Sequence, residues 1–211
     1  MPEPPVIVIA SHNRSKLREI EQLLRAGLHD CAASVRLLAD YPDAPEPPDE
    51  KAESYVGNAV IKARACAAFT RALSFADDAG LEIDALGGAP GLRSRRYAGE
   101  QTPFAVKMGI ILEQLQAVPP ERRTARFRCA VAIATPTGEL YTFEDTLEGR
   151  IADAPRGQAG FGYDPIFYVP ALGCTLAELP SDFKNRISHR AKVMRQAIPK
   201  LRELLVRYTP T

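Results

Sequence analysis

The sequence LSFADDAGL, residues 73–81, combines a short apolar run with two adjacent carboxylates and a glycine. Apolar residues bounded by turn-forming residues are typical of a buried strand. In open α/β sheets, ligand sites lie beyond the carboxyl ends of strands, so Asp77 and Asp78 would stand at the mouth of a site. The alternative is a polar turn over residues 77–80, because Asp and Gly are common turn residues. The rest of the chain has to decide between the two.

The composition is that of an ordinary globular protein. The chain has 211 residues, of which 45% are hydrophobic and 25% charged, enough for one substantial core or two lobes. Its net charge of +1 provides no overall field for a polyanion, so we expect no nucleic-acid partner. No stretch reaches the roughly 18 apolar residues of a membrane span, and the N-terminus lacks a signal-peptide pattern. The four cysteines form no C-x-x-C pair, which argues against zinc ribbons and disulfide frameworks and favours a cytoplasmic location.

The N-terminal segment predicts a strand, a polar loop and a helix. Residues 6–10, VIVIA, form a compact apolar run typical of a buried strand. Apolar residues then repeat at helical spacing over residues 17–24, with Asn13 or Ser15 as the candidate cap. Backbone N–H groups at a helix start, together with Lys16, suit an anionic ligand, although a capped helix with a solvated lysine would look the same. Neither a P-loop nor a G-x-G-x-x-G motif follows the strand.

Two segments in the middle of the chain carry charges next to predicted structure. A proline-rich acidic loop ends at Glu50, directly before a predicted helix over residues 53–69. That helix has an alanine-rich apolar stripe, with Asn58 and Lys62 expected on its surface. A glycine-rich loop then leads to three arginines that include Arg96. An arginine cluster suits phosphate, but a solvated surface patch is the alternative.

The aromatic loop FGYDP, residues 161–165, precedes a short apolar strand. Aromatic residues in a glycine-bearing loop can stack on a nucleotide base, whereas the alternative is that they only anchor the loop in the core. Further along, Ser188, His189 and Arg190 stand at the start of a long helix predicted to reach Tyr208. Anions are favoured at such a position.

The order of these elements predicts an α/β fold. Strands alternate with helices through residue 69, and a helix over residues 104–115, with Phe104 on its apolar face, precedes a β-hairpin over residues 126–147. We expect a mixed central sheet with flanking helices, in two lobes around a nucleotide-binding cleft. The polar helix-start loop, the acidic pair, the arginine-rich loop and the aromatic loop together suit a nucleotide with its metal ion.

Seven motifs occur in an order that resembles one known family, the nucleoside-triphosphate pyrophosphatases acting on inosine and xanthosine triphosphates, also called the HAM1-like or RdgB-like family. The motifs extend over nearly the whole chain: ASHN at 10–13 with Lys16 and Glu19, NA at 58–59 with KA at 62–63, DD at 77–78 with GLE at 80–82, DAL at 84–86 with GAPG at 88–91, RYAG at 96–99, GFGYDP at 160–165, and ISHR at 187–190. Seven motifs in one order are far more specific than any one of them.

The resemblance implies a homodimer of single domains, residues 1–211, that uses Mg²⁺ to hydrolyse non-canonical purine nucleoside triphosphates. ITP, dITP and XTP would give the monophosphate and pyrophosphate. Asp78 is implied as the general base, Asp77 and Lys16 as its catalytic neighbours, and Asp78 with Glu50 as the metal ligands. The implied substrate-binding residues, with Phe161 against the purine ring, are Ser11, His12, Asn13, Lys16, Lys62, Ala79, Arg96, Phe161, Gly162, Tyr163, Asp164, Lys184, His189 and Arg190.

The chain departs from the common family pattern in three places. It has Ser11-His12 where the family has Thr-Gly, Lys51-Ala52 where the family has Thr-Gly, and Ala79 where the family has Ser. The last change removes a hydroxyl, and one lost hydrogen bond typically costs about 0.5–1.5 kcal/mol. Two alternatives therefore stay open: a nucleotide-binding protein of the same fold with weakened catalysis, and a pyrophosphatase for other modified nucleotides.

Overall fold

The computed structural model describes residues 4–11, 13–46 and 48–208. In these residues the strands are β1 (Val6–Ile9), β2 (Ser34–Leu37), β3 (Leu73–Ile83), β4 (Thr124–Ala134), β5 (Leu140–Ile151), β6 (Phe167–Val169) and β7 (Cys174–Thr175). The α-helices are α1 (Arg14–Gly27), α2 (Tyr55–Thr70), α3 (Phe104–Gln114), α4 (Ser181–Ile187) and α5 (His189–Tyr208). None of the helices in this part of the chain is both long and apolar enough to cross a membrane.

The strands form one mixed sheet in the order β2-β1-β3-β4-β5-β6-β7. β1 pairs in parallel with β2 and β3, so that Ile7 lies opposite Val35 and Leu73. β6 pairs antiparallel with β5 and β7. Parallel strands require a crossover connection: α1 lies between β1 and β2, and α2 lies between β2 and β3, which pairs with the other edge of β1. The predicted α/β fold, with a mixed sheet and flanking helices, is confirmed.

The chain divides into two compact units, a first from Met1–Asp78, Cys129–Asp145 and Arg190–Thr211, and a second from Ala79–Arg128 and Thr146–His189. In the first unit, Ala59 and Ala63 of α2 pack with Val8 of β1, and the small alanines allow close approach of helix and strand. In the second unit, Ile111 of α3 belongs to a core with Phe127. The predicted nucleotide-binding cleft stays a prediction.

β3 continues through the acidic pair. The strand runs from Leu73 to Ile83, so the polar-turn alternative is wrong, and so is the prediction that the strand ends before the carboxylates. Successive side chains of a strand point to opposite faces. Ala76 packs in the core that contains the α2 alanines, so Asp78 points to this face and Asp77 to the opposite one. Burial of two carboxylates in mid-strand requires charged or hydrogen-bonding partners, and both aspartates have them.

Two helices each bury a polar side chain. Asn58 of α2 is only 1% exposed, which contradicts its predicted surface position, because its amide bonds Asp78 in the interior. In α3, Phe104 is 36% exposed while Lys107, three residues later, is 1% exposed. Phe104 therefore does not belong to the buried face of α3. Its ring instead lies edge-on to Tyr163, with ring centres 5.1 Å apart.

Candidate active site

Asp77 is a buried carboxylate held by two cations. Its Oδ2 accepts hydrogen bonds from Nε and Nη2 of Arg190 at 3.2 and 3.0 Å, and Nζ of Lys16 lies 3.4 Å away. Burial alone would raise the pKa of Asp77, but Lys16, Arg190 and Lys62 outweigh it and hold the pKa well below its ordinary value. A carboxylate with so low a pKa is a poor proton acceptor. Asp77 therefore suits a supporting role.

Arg190 joins α5 to β3 and α1. Besides its two bonds to Asp77, its Nη1 donates to Oε2 of Glu19 at 2.7 Å. The guanidinium is 1% exposed, and burial opposes its charge, but Glu19 and Asp77 raise its pKa above the ordinary value. Arg190 thus compensates two buried carboxylates at once. Its implied contact with the edge of a purine stays a prediction.

Asp78 differs from Asp77 in its partners. Its Oδ2 accepts a hydrogen bond from Nδ2 of Asn58 at 3.0 Å, and its Oδ1 lies 3.4 Å from Nζ of Lys62. Burial raises the pKa of Asp78 above its ordinary value, Lys62, Lys16 and Asn58 oppose the rise, and Glu50 adds to it. A raised pKa makes a carboxylate a better proton acceptor, which suits a general base.

Glu50 lies beside Asp78 through a shared lysine. Nζ of Lys62 donates to Oε1 of Glu50 at 3.1 Å as well as to Asp78. The loop that carries Glu50 is tied to α2, because the main-chain N of Ala52 donates to Oδ1 of Asn58 at 3.0 Å. Asn58 therefore fixes both the loop with Lys51-Ala52 and the carboxylate of Asp78.

These carboxylates fit a hard metal ion. Two carboxylate oxygens that converge on one ammonium form an anionic cluster of the kind that Mg²⁺ prefers, and Mg²⁺ is commonly held by one or two carboxylates plus substrate phosphates. In the described part of the chain, no group of three or more acidic, His or Cys side chains could hold a metal by itself. Glu50 and Asp78 would thus need oxygen ligands from a substrate.

The loop before α1 is organised by Asn13. Its Oδ1 accepts a hydrogen bond from the main-chain N of Lys16 at 3.3 Å, and its own N–H donates to Oγ of Ser11 at 3.3 Å. Asn13 therefore caps α1, as one of the two predicted candidates. His12 lies outside the described residues, and its predicted contact with substrate falls there.

The aromatic loop of the second unit is fixed by one carboxylate. Oδ2 of Asp164 accepts hydrogen bonds from the main-chain N of Phe161 at 2.8 Å and from Nζ of Lys184 at 2.6 Å. The same ammonium lies 4.5 Å from the ring centre of Phe161. Gly160 and Gly162 have φ of +74° and +68°, which a glycine adopts without strain. The loop is thereby held in one conformation around Phe161.

The other predicted substrate-binding residues of the second unit differ in exposure. Tyr163 is buried, and its hydroxyl donates to the main-chain O of Ser94 at 2.9 Å, so it anchors the loop. His189 is buried and stacks on Phe127, with ring centres 4.8 Å apart. Arg96 is exposed, and Ala79 is half-buried in β3.

A sequence model described as the Ham1 family matches residues 7–200. The chain belongs to the Ham1 family. The family resemblance that the seven motifs predicted is thereby confirmed.

Relatives of this Ham1 chain align with nearly its whole length. It is 47% identical over 188 residues to the dITP/XTP pyrophosphatase of Geobacillus kaustophilus. The alignment covers 89% of this chain and 90% of that protein. It is 42% identical over 200 residues to the dITP/XTP pyrophosphatase of Desulforamulus reducens. This alignment covers 95% of the chain and 97% of that protein. The solved structure of a HAM1 protein from Coxiella burnetii has a TM-score of 0.84 at 39% identity and covers 94% and 99%.

The Ham1 chain thus brings the predicted residues together in two clusters, each within one unit. The first unit gathers Lys16, Glu50, Lys62, Asp77, Asp78 and Arg190, and the second gathers Phe161, Asp164 and Lys184. Sequence reasoning gave no role to Glu19 or to Asn58. The signal for Asn58 was its spacing of four residues from Lys62, which puts both side chains on one helix face.

Proposed function

We propose that this Ham1 protein hydrolyses non-canonical purine nucleoside triphosphates, ITP, dITP and XTP, to the monophosphate and pyrophosphate. One contrast carries the proposal: Asp77 is neutralised by Arg190 and Lys16, whereas its neighbour Asp78 keeps a raised pKa beside Lys62 and Glu50. The names of the two curated relatives support the substrate class and the reaction.

Asp78 acts as the general base in this proposal. It takes a proton from a water molecule, the water oxygen attacks the α-phosphorus, and the bond from that phosphorus to the bridging oxygen breaks to release pyrophosphate. Asp77 stays charged and keeps Lys16 and Arg190 in place. Little covalent chemistry is required of the protein, so positioning and electrostatic stabilisation supply most of the acceleration.

Cationic groups and a metal ion meet the charge of the triphosphate. Lys16, Arg96 and the backbone around Asn13 bind phosphate oxygens in this assignment. Glu50 and Asp78 would hold Mg²⁺, with phosphate oxygens completing the ligand set. When bound, the ion would neutralise phosphate charge and stabilise pyrophosphate as the leaving group.

In this proposal, base selectivity comes from hydrogen-bond donors of the protein. We assign Phe161 to the face of the purine, and Tyr163, Asp164, Lys184, His189 and Arg190 to its surroundings. Hypoxanthine and xanthine carry a keto oxygen where adenine carries an amino group, so a donor such as His189 or Arg190 would bond the keto oxygen but would face the amino hydrogens of adenine. A site built on such a hydrogen bond can reject the wrong base by roughly 10⁴-fold.

The assembly and location are further parts of the proposal. The family resemblance supports a homodimer. The cysteines are free thiols, which agrees with a reducing compartment such as the cytoplasm. Light scattering during gel filtration would test the assembly, and a monomer at micromolar concentration would contradict it.

A substrate panel tests the reaction. The protein is mixed with Mg²⁺ and, separately, ITP, dITP, XTP, GTP or ATP, and pyrophosphate and orthophosphate are measured. We expect pyrophosphate from ITP, dITP and XTP at rates far above those with ATP and GTP. Release of orthophosphate, or equal rates with ATP and ITP, would contradict the proposal. Nucleotide binding without turnover would favour the alternative of a binding protein, for which Ala79 and Lys51-Ala52 give a reason.

A further inference from the structure

Lys107 is a buried cation that has no part in the reaction described above. It lies in α3, is 1% exposed, and forms no ion pair with any residue that the structure describes. Burial and repulsion from Arg95 lower the pKa of Lys107, and Glu100 opposes them only in part. An apolar side chain of similar volume would avoid the cost of burying an ammonium group. The contacts of the ammonium therefore point to its role.

The ammonium of Lys107 holds one peptide group. Its Nζ donates to the main-chain O of Arg95 and lies 5.0 Å from the ring centre of Phe104, a cation–π contact. The carbonyl of Arg95 and the N–H of Arg96 belong to the same planar peptide unit. The orientation of this peptide, and with it the direction in which Arg96 leaves the backbone, is thus set from α3.

The loop on either side of this peptide is fixed as well. Oγ of Ser94 accepts a hydrogen bond from the main-chain N of Leu81 at 2.9 Å, and the hydroxyl of Tyr97 donates to Oε1 of Gln114 at 2.9 Å. Ala98 has φ of +54°, a conformation that is uncommon outside glycine and requires support from its surroundings. Gln114, like Lys107, belongs to α3, so one helix supplies two anchors of the loop.

Fixed backbone and exposed side chains coexist in this loop. Ser94 is buried, whereas Arg95 and Arg96 are exposed. A rigid loop that presents an arginine to solvent is preorganised to bind an anion, because less conformational freedom is lost on binding.

We propose that Lys107 is a positioning residue for Arg96, and that it holds the arginine ready for the triphosphate of the substrate. The inference rests on the proposed function only in naming the triphosphate as the ligand. Since Lys107 acts through ground-state binding in this proposal, its loss should raise KM and leave kcat largely unchanged.

The test is a double-mutant cycle with two readouts. Lys107→Met keeps the apolar stem and removes the donor, Arg96→Met removes the guanidinium, and the third variant combines both. KM and kcat are measured with ITP, and the affinity for inorganic tripolyphosphate is measured by calorimetry. We expect each single variant to raise KM and to lower the affinity for tripolyphosphate, each by roughly tenfold. The double variant should bind tripolyphosphate no more weakly than Arg96→Met, because the two residues act as one unit.

Two further variants separate positioning from general loss of stability. Ile111→Val removes one methylene from the buried face of the same helix and leaves both loop anchors, Lys107 and Gln114, in place; it should lower Tm while leaving KM unchanged. Lys107→Arg keeps a donor and should restore part of the affinity. Additive effects in the double variant, or tripolyphosphate affinity of Lys107→Met equal to wild type, would overturn the inference.

The two proposals fail in different ways. If the wild type releases pyrophosphate from ITP but Lys107→Met binds tripolyphosphate normally, the role of Lys107 is wrong and the proposed function stands. If the wild type does not hydrolyse ITP but the cycle with tripolyphosphate is non-additive, the proposed function is wrong and the role of Lys107 stands.

Discussion

Asp77 and Asp78 are neighbours in β3, yet the pKa of Asp77 is lowered and that of Asp78 is raised. Both are buried, so burial alone does not separate them. Asp77 receives two N–H groups from Arg190 as well as Lys16, whereas Asp78 shares Lys62 with Glu50. The charge of the neighbours therefore sets the direction of each pKa shift: cations dominate around Asp77, whereas the carboxylate of Glu50 adds to the rise at Asp78.

Replacement of the proposed base should remove turnover and spare binding. Asp78→Asn keeps the size of the side chain but cannot accept a proton from water, and we expect kcat with ITP to fall by roughly 10²–10⁴-fold. Nucleotide affinity, measured by calorimetry, should change little. Asp43→Asn, in an exposed loop, is the matched control and should behave like the wild type. Turnover of Asp78→Asn within a few-fold of the wild type would eliminate Asp78 as the base.

The acid side of the pH profile should report the pKa of Asp78. The base works when deprotonated. Since the pKa of Asp78 is raised, kcat/KM should begin to fall at a higher pH than it would with an ordinary aspartate as the base. Lys62→Met removes a cation that lowers this pKa, so the acid limb should move to higher pH. Lys51→Met, at an exposed lysine paired with Asp49, should leave the limb in place. A limb that stays, or moves to lower pH, in Lys62→Met would contradict the assignment.

Removal of the buried guanidinium should destabilise the protein. Arg190→Met removes the guanidinium that compensates Glu19 and Asp77, and removal of one member of a buried ion pair typically costs about 3–5 kcal/mol. Urea unfolding at pH 7 measures the loss. The difference in unfolding free energy between the variant and the wild type should become smaller in acid, because the pKa of Asp77 is lowered in the folded protein. The ionised carboxylate of Asp77 stabilises the fold above its ordinary pKa, and this stabilisation is lost as the pH falls through the lowered value.

The control for this change lies on the same helix. Arg195 is exposed, and Arg195→Met should change the free energy of unfolding by no more than about 0.5 kcal/mol. Equal effects of the two substitutions would mean that the guanidinium of Arg190 does not compensate the carboxylates.

Alanine substitutions at two glycines can distinguish backbone strain from displacement of the aromatic loop. A Cβ at Gly160 would lie 2.1 Å from Oδ2 of Asp164, and Gly160 has φ of +74°. Gly138, with φ of +96°, has nothing within 4 Å of an added Cβ. Both substitutions to alanine should cost about 1–2 kcal/mol in backbone strain. We expect only Gly160→Ala to raise KM for ITP as well, because it displaces the carboxylate that holds Phe161. An equal KM in both variants would contradict this role of Asp164.

The regular elements could be predicted wherever their pattern reports burial. The apolar run of β1 and the helical repeat of α1 are local signals, and both elements appear where expected. The path of β3 through Asp77 and Asp78 could not be predicted in this way. Asp-Asp-Ala-Gly matches turn chemistry locally, and the guanidinium that makes its burial tolerable is 113 residues away in sequence.

In the candidate site, too, residues that belong to a motif could be predicted, whereas contacts between distant parts of the chain could not. Motif spacing identified Asp78, Lys62 and the aromatic loop, although their roles toward a nucleotide stay predictions. The burial of Lys107 had no such signal, because a lysine in the first turn of a helix is typical of a solvated surface. Its acceptor is a main-chain carbonyl, which any residue type at position 95 would supply.

The alternation of β3 gives the two faces of one strand different duties. On one face, Asp77 is compensated by Arg190, and on the other, Asp78 is held by Asn58 and carries the role of base in the proposed function. In the proposed function, a substitution at Asp77 would therefore act first on stability and one at Asp78 first on rate, although the two positions are adjacent in the chain.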